Sequence, residues 1–421
     1  MVTMRNSWSP FVVSAPGKVI LFGEHAVVYG KTAVAGSLNL RAYALVTPRD
    51  DATVRLVLPD IDIDVHFSTH TLPQIRKEDL EHPAEIESLV TEAITVPVGP
   101  GRTAILTFVY LYACLFCSED RTSGFTITVR SLLPVGAGLG SSAAFNVALS
   151  AAMLKLTGQL SDEGSSAEDK QLINAWAFRG EQVAHGTPSG IDNAVATYGG
   201  FVRYRKGEEQ TDLQSTRALR VLITNTKVPK STKALVAGVR VLRDRHSPII
   251  DGIMDAIHSI STKAANLFGE PDAGDLEVQL QDMIRINHGL LATLGVSHPA
   301  LERVRDITAT RGMASKLTGA GGGGCALTLI PNGLPSAEVD AAGKELAEEG
   351  FQCYETNVGG PGVLVRQEVK ALSVELFVRN ALDRHMSLAP SGHRDETGDQ
   401  YSGVISAFTI LPPNAISELS Q

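Results

Sequence analysis

Residues 132–145 read LLPVGAGLGSSAAF: three glycines within five positions, two serines, then a run of small apolar residues. Glycine gives up more backbone freedom on folding than other residues, so a loop of this kind has to close around something. Just upstream, GFTITVRS alternates Phe125, Ile127 and Val129 with polar residues, which predicts a strand. Downstream, SSAAFNVALSAAMLKLTG is apolar on nearly every side and predicts a buried helix, stopped by Gly158. A strand, a glycine turn and a helix N-terminus together make an anion site. The unpaired amides of the first helical turn and the helix dipole both favour negative charge there. Glycines at positive φ also let a phosphate approach the backbone closely. A plain turn with serine as helix cap is the competing reading, although three glycines exceed what a cap requires. No Lys-Ser or Lys-Thr pair follows the glycines, so this is not a Walker loop, and the protein-kinase signatures are absent.

At 421 residues the chain is long enough for two ordinary domains. FVVS, KVILF, AYALV and IDIDVHF predict strands, while segment 78–94 and the apolar run 105–117 predict helices. LSDEGSSAEDK reads as a polar connector, and a further helix runs through QLINAWAFRGEQVAHG. After GFVRYRKGEEQTD the composition turns charged and loses pattern, which places a domain boundary near residue 210. The second half predicts a strand (RVLIT), three or four helices, another glycine-rich loop, the strand CALTLI, the helix AEVDAAGKELAEEG and closing strands. From about Val369 the order fades through the polar, turn-rich SLAPSGHRDETGDQYSG. The expected units are thus 1–210, 211–368 and a disordered tail, 369–421, whose His385 and His393 are solvated.

Composition narrows the partners. The chain is 43% hydrophobic and 20% charged, as soluble globular proteins are. A formal net charge of −9 argues against a nucleic-acid partner, which wants a basic face. An anionic small molecule then has to be held by a few local cations and backbone dipoles. Cys114 and Cys117 form a CxxC inside the apolar run, with no histidine or second CxxC at zinc spacing, and read as core. That run is too short to span a bilayer, no signal peptide opens the chain, and ELSQ carries no retention signal. A reducing, cytoplasmic home without membrane contact is expected.

A second cluster, KLTGAGGGGCALTLI, satisfies GxGxxG with Gly319, Gly321 and Gly324. A dinucleotide fingerprint needs a helix after the glycines, and here a strand follows, so the cluster instead lets the backbone pass close beside a ligand. Other segments carry reactive groups. SAPGKVILFGEHAVVYG places Lys18 after a Pro-Gly turn, with Glu24 and His25 beyond a short strand. GEQVAHGTPSGIDNAVATYGG sets Glu181 beside the apolar stripe of its helix, where a carboxylate calls for a cation. Asp192 follows a Pro-Ser-Gly turn and suits either an N-cap or a reactive site. Lys227, Lys230 and Lys233 read as a solvated face.

APGKVILFGEHAVVYG, PVGAGLGSSAAF and KLTGAGGGGCALTL, in this order, resemble the three motifs of the GHMP small-molecule kinases. Within that family GEHAVVYG, GEQVAHGTPSGIDN and NTKVPKSTKALVAGVR are similar to members that phosphorylate mevalonate, whereas galactokinases carry an acidic residue and an aromatic soon after GEH. The likeness spans about residues 10–367. It implies a two-domain α+β fold, ribosomal protein S5-like at the N-terminus and ferredoxin-like at the C-terminus, with ATP and the alcohol in a cleft between the domains. It implies that Gly136, Ala137, Gly138, Leu139, Gly140, Ser141 and Ser142 wrap the ATP phosphates, with Ser131 near the nucleotide. Ser142 and Glu181 would hold magnesium, Asp192 would take the proton of the C5 hydroxyl, and Lys18 would stabilise alkoxide and transferring phosphoryl group. Glu24, His25 and Thr232 would contact mevalonate. The resemblance further implies a homodimer, feedback by prenyl diphosphates, and a place in isoprenoid and sterol synthesis. Asp60 stands where similar sequences offer Asn near the nucleotide, so that contact stays unassigned. A sister kinase for another alcohol and a catalytically silent sensor are the alternatives, and the sensor is disfavoured because Lys18, Ser142, Glu181 and Asp192 are all present.

Overall fold

The computed structural model describes residues 8–72, 88, 101–116, 124–134, 136–161, 163–186, 188–208, 210–213, 218–270 and 275–366. All lie within one compact unit. The tail 369–421, Cys117 and, apart from Ser88, the segment read as helix over 78–94 fall outside these residues.

Two long strands organise the sheet. β1 (Phe11–Phe22) runs antiparallel to β2 (Ala33–Arg49), from Phe11 opposite Val46 to Phe22 opposite Val34. The Pro-Gly turn expected before Lys18 is absent: β1 continues through Pro16 and Gly17 with a register shift between them. Proline cannot donate to the ladder, and a bulge absorbs that missing bond without ending the strand. β3 (Thr53–Leu58), β4 (Ile63–Ser68), β5 (Gly124–Ser131), β6 (Phe201–Tyr204), β7 (Thr211–Leu213), β8 (Leu219–Asn225), β9 (Ala314–Leu317), β10 (Cys325–Leu329), β11 (Gln352–Val358) and β12 (Leu364–Arg366) complete a twelve-stranded sheet. Its main order is β4-β3-β5-β2-β11-β8-β10-β9, with β12 on β1, and β6 carrying β7 on β2. Among the described residues only the β3–β5 pairing is parallel.

α1 (Arg102–Leu115) and α2 (Ser141–Leu156) bury most of their side chains, which their sequences allow because the charges, Arg102 and Lys155, stand only at the ends of the runs. α3 (Ala167–His185) starts inside the apparent connector, because Ser166 and Asp169 form a reciprocal capping box. α4 (Ile191–Tyr198) follows, then α5 (Thr232–Arg245), α6 (Ser247–Gly269), α7 (Leu276–Thr293), α8 (Pro299–Ala309) and α9 (Ser336–Glu348). One apolar cluster joins β1, β2, β5, α1 and α2; another gathers Val239, Ile250, Met254, Leu291, Val304 and Leu346. Among the described residues no helix is long and apolar enough to cross a membrane.

Candidate active site

The loop ahead of α2 alternates in burial. Ala137 and Leu139 are sunk into the core, while Gly136 and Gly138 face outward. Apolar anchors thus hold a backbone whose glycines stay open to a ligand. Gly140 caps α2 at φ 74°, and a Cβ there would stand 2.8 Å from Cγ of Lys18, so both conformation and space require glycine. The first bond of the helix runs from the Ala144 amide to the Gly140 carbonyl (2.9 Å), so the helix opens directly at the glycine loop, with the positive end of its dipole there. The Lys18 amide donates to the Leu139 carbonyl at 2.8 Å, fastening β1 to the loop.

Lys18 Nζ lies 3.2 Å from Asp192 Oδ1, with the lysine side chain 11% exposed and the aspartate 39%. Gly190, not Asp192, is the N-cap of α4, so the capping reading of Asp192 is corrected. The carboxylate belongs to the first helical turn and points at the lysine. Behind this pair, Glu181 on α3 is buried, and its Oε1 accepts from Ser142 Oγ (2.8 Å) and Asn146 Nδ2 (2.7 Å). A hydroxyl and a carboxylate side by side at a phosphate loop suit magnesium, which takes one or two protein oxygens and completes its shell with phosphate and water. Among the described residues no group of three or more His, Cys, Asp and Glu gathers into an all-protein cage.

The second glycine loop, between β9 and β10, comes to the same place, and it brings a residue that sequence reasoning set aside. Lys230 is not on a solvated face. Its Nζ lies 3.4 and 3.7 Å from where a Cβ on Gly138 and on Gly319 would stand. A Cβ on Gly324 would be only 2.5 Å away, so glycine there makes room for the ammonium. Burial lowers the Lys230 pKa, with Cys325 acting to raise it and the Lys18 charge lowering it further. Two ammonium groups so placed call for an anion.

Ser131 lies at the end of β5, where its amide donates to Asp60 Oδ2 at 2.8 Å and its Oγ accepts from the Leu133 amide. Asp60 therefore organises this corner through Ser131 and through Arg130 at 3.4 Å. Thr232 is the exposed first residue of α5, and Ser231 provides the cap by accepting from the Ala234 amide.

Glu24 and His25 leave β1 in a tight turn. His25 sits at φ 60°, ψ −46°, and the Ala26 amide donates to the Glu24 carbonyl at 2.7 Å, a strained positive-φ γ-turn. Its Nε2–H donates to the Ala320 carbonyl (2.9 Å), and burial lowers its pKa. The Glu24 side chain is fully enclosed: Lys316 Nζ holds Oε1, and Asn287 Nδ2 holds Oε2 at 3.2 Å. This leaves no carboxylate surface for a substrate, contrary to the contact implied for Glu24. Burial pushes the Glu24 carboxyl up and the Lys316 ammonium down, and each charge keeps the other in place.

Comparison with known proteins identifies the family. The GHMP kinases N terminal domain matches residues 107–200, and the GHMP kinases C terminal matches residues 274–350. Fold and site thus define the class: a kinase of the GHMP type. The mevalonate kinase of Homo sapiens is 41% identical over 393 residues, covering 88% of this chain and 98% of that relative. Among solved structures, the Methanococcus jannaschii mevalonate kinase superposes with a TM-score of 0.65 at 23% identity, covering 86% of this chain and 99% of that one. The L. major mevalonate kinase in complex with R-mevalonate gives 0.64 at 23%, covering 86% and 98%. The chain belongs to the mevalonate kinase family.

Proposed function

We propose that this chain transfers the γ-phosphoryl group of ATP to the C5 hydroxyl of (R)-mevalonate, giving 5-phosphomevalonate and ADP for isoprenoid and sterol synthesis. The observation that carries the reading is the Lys18–Asp192 pair at 3.2 Å, with Lys18 bonded through its own amide to the glycine loop. An alcohol is too weak an acid to ionise unaided at neutral pH, so a base has to stand beside a cation. Asp192 takes the hydroxyl proton as the new O–P bond forms and the bond from Pγ to the β-phosphate oxygen breaks. Lys18 and Lys230 neutralise charge on the phosphoryl oxygens, and the amides at the start of α2 hold the phosphates. Ser142 and Glu181 would hold magnesium, which would supply positive charge against the phosphates. His25 and Thr232 would line the mevalonate side.

We further read the chain as domains 1–210 and 211–368 with a tail, forming a cytoplasmic homodimer. A prenyl diphosphate would suit the amide-rich loop and would then compete with ATP in steady-state kinetics. The central test is simple. Purified protein should consume ATP only when mevalonate is supplied, and consumption with galactose or phosphomevalonate instead would overturn the assignment.

A further inference from the structure

The mechanism leaves unused the most deeply buried charges of the described chain. Glu24 and Lys316 are 0% exposed at their side chains and pair with each other across a sequence separation of 292 residues. A buried ion pair is weak evidence for stability, since apolar residues of similar volume often serve as well. Its place in the fold is more informative. Glu24 immediately precedes His25, whose backbone is held in the positive-φ γ-turn, and Lys316 is the first residue of KLTG, on the strand that leads into the second glycine loop. Three further ties connect the same two segments or brace them. His25 Nε2–H donates to the Ala320 carbonyl, inside that loop, at 2.9 Å. Thr318 Oγ1 donates to the Ile20 carbonyl of β1 at 2.9 Å. Asn287 on α7 donates to the second oxygen of Glu24. Lys316 is itself aimed from behind, because Nζ also donates to the Leu317 carbonyl while the Leu317 amide donates to His288 Nδ1. His288 in turn donates from Nε2 to Glu302 at 2.9 Å.

A strained backbone persists only where its surroundings over-determine it. From these contacts we infer that Glu24 and Lys316 are positioning residues. Their pair, with the His25–Ala320 bond, latches the His25 turn to the second glycine loop, so that the alcohol-side and phosphate-side segments keep one relative placement. Neither side chain touches substrate. The inference rests on the proposed kinase reading for its kinetic consequence but not for its structural one.

Glu24→Gln, Lys316→Met and the double variant test it, each with two readouts. One is kcat for mevalonate phosphorylation, measured where circular dichroism shows the variant folded. The other is hydrogen exchange at the Ala26 amide, which closes the γ-turn. A latch gives single variants with kcat down at least tenfold and Ala26 exchange faster at least tenfold. The double variant, which leaves no unpaired buried charge, then loses less than the worse single one. Losses that multiply in the double variant, as for two independent substrate contacts, would overturn the inference. So would wild-type exchange at Ala26, or wild-type kcat in folded single variants, which a purely structural pair would show. Should the single variants fail to accumulate folded, Asn287→Leu removes one tie alone and is expected to move both readouts two- to fivefold; no movement refutes the latch. Exchange needs no turnover, so an unmoved Ala26 amide refutes the latch by itself. Absence of turnover in the unaltered chain refutes only the acceptor assignment.

Discussion

Replacing Lys230 by Met removes one ammonium from the meeting point of the two glycine loops and leaves the chain volume nearly unchanged. Unit charges about 4 Å apart at an effective dielectric near 20 attract by about 4 kcal/mol. Part of that is offset by the cost of keeping the ammonium out of water, the same cost that lowers its pKa. Taking half as the net gives ~2 kcal/mol, or roughly thirtyfold in kcat/KM for ATP. Steady-state kinetics with ATP varied at saturating mevalonate should show this loss for Lys230→Met and much less for Lys230→Arg. A second measurement separates charge from architecture. The lowered pKa means that the unfolded chain holds this proton more tightly than the folded one. The penalty is therefore fully present below the folded pKa and is relieved as pH rises through it toward the ordinary lysine value. Ligand-free Lys230→Met should thus melt no lower than the unaltered chain at pH 7, with the comparison shifting toward the unaltered chain in alkali. A Met variant with ATP kcat/KM within threefold of the original would refute the reasoning.

Asp192→Asn keeps the size of the side chain and cannot disturb a cap that Gly190 provides, so kcat should fall about a hundredfold or more with little change in melting temperature or ATP binding. Retention of most kcat would shift the mechanism onto Lys18. Ser142→Ala and Glu181→Gln should each cost roughly tenfold to a thousandfold in turnover, most visibly at limiting magnesium, and near-original rates there would remove the metal assignment. Glu302 is held down to about 2: burial opposes its ionisation, but hydrogen bonds from Ser297, His288 and Arg305 outweigh it. Its contribution is complete above the usual glutamate range and is lost as pH falls toward 2. The stability gap between the chain and Glu302→Gln, read by thermal melts, should accordingly close on acidification.

The phosphate loop, the helix behind it and most strands were legible because each rests on local pattern: glycine spacing, period two, unbroken apolar runs. Residues that meet only through tertiary folding were not. Ser142 and Glu181 are joined at 2.8 Å by the packing of α2 on α3, and only family resemblance connected them beforehand. Lys227, Lys230 and Lys233 recur every third residue and so resemble an exposed helical face. In the structure α5 begins only at Thr232, and Lys227 lies at φ 58°, so the three share no helical face; Lys227 and Lys233 are exposed as expected, and Lys230 is not. Lys230 is half-buried by a loop some ninety residues downstream, for which nothing around VPKS gives a signal. Lys316 in ASKL is similar, since a lysine in a short strand reads as an edge until Glu24 is found opposite it. Proline misled at β1, where the bulge keeps a strand that local rules would end.

The pairing of β1 with β12 bears on how the chain is made. Val12 finds its β12 partner only at Arg366, and β11 reaches β2 through Val358 and Leu38. At about 5–20 residues per second, a ribosome needs roughly 20–70 s to supply the residues between those β1 and β12 partners. Throughout that interval one flank of β1 offers unpaired amides and carbonyls to any other strand. Newly made chains should therefore depend on chaperones for this edge, and truncation ahead of residue 364 should yield protein prone to intermolecular pairing even with Lys18, Asp192 and the phosphate loop intact.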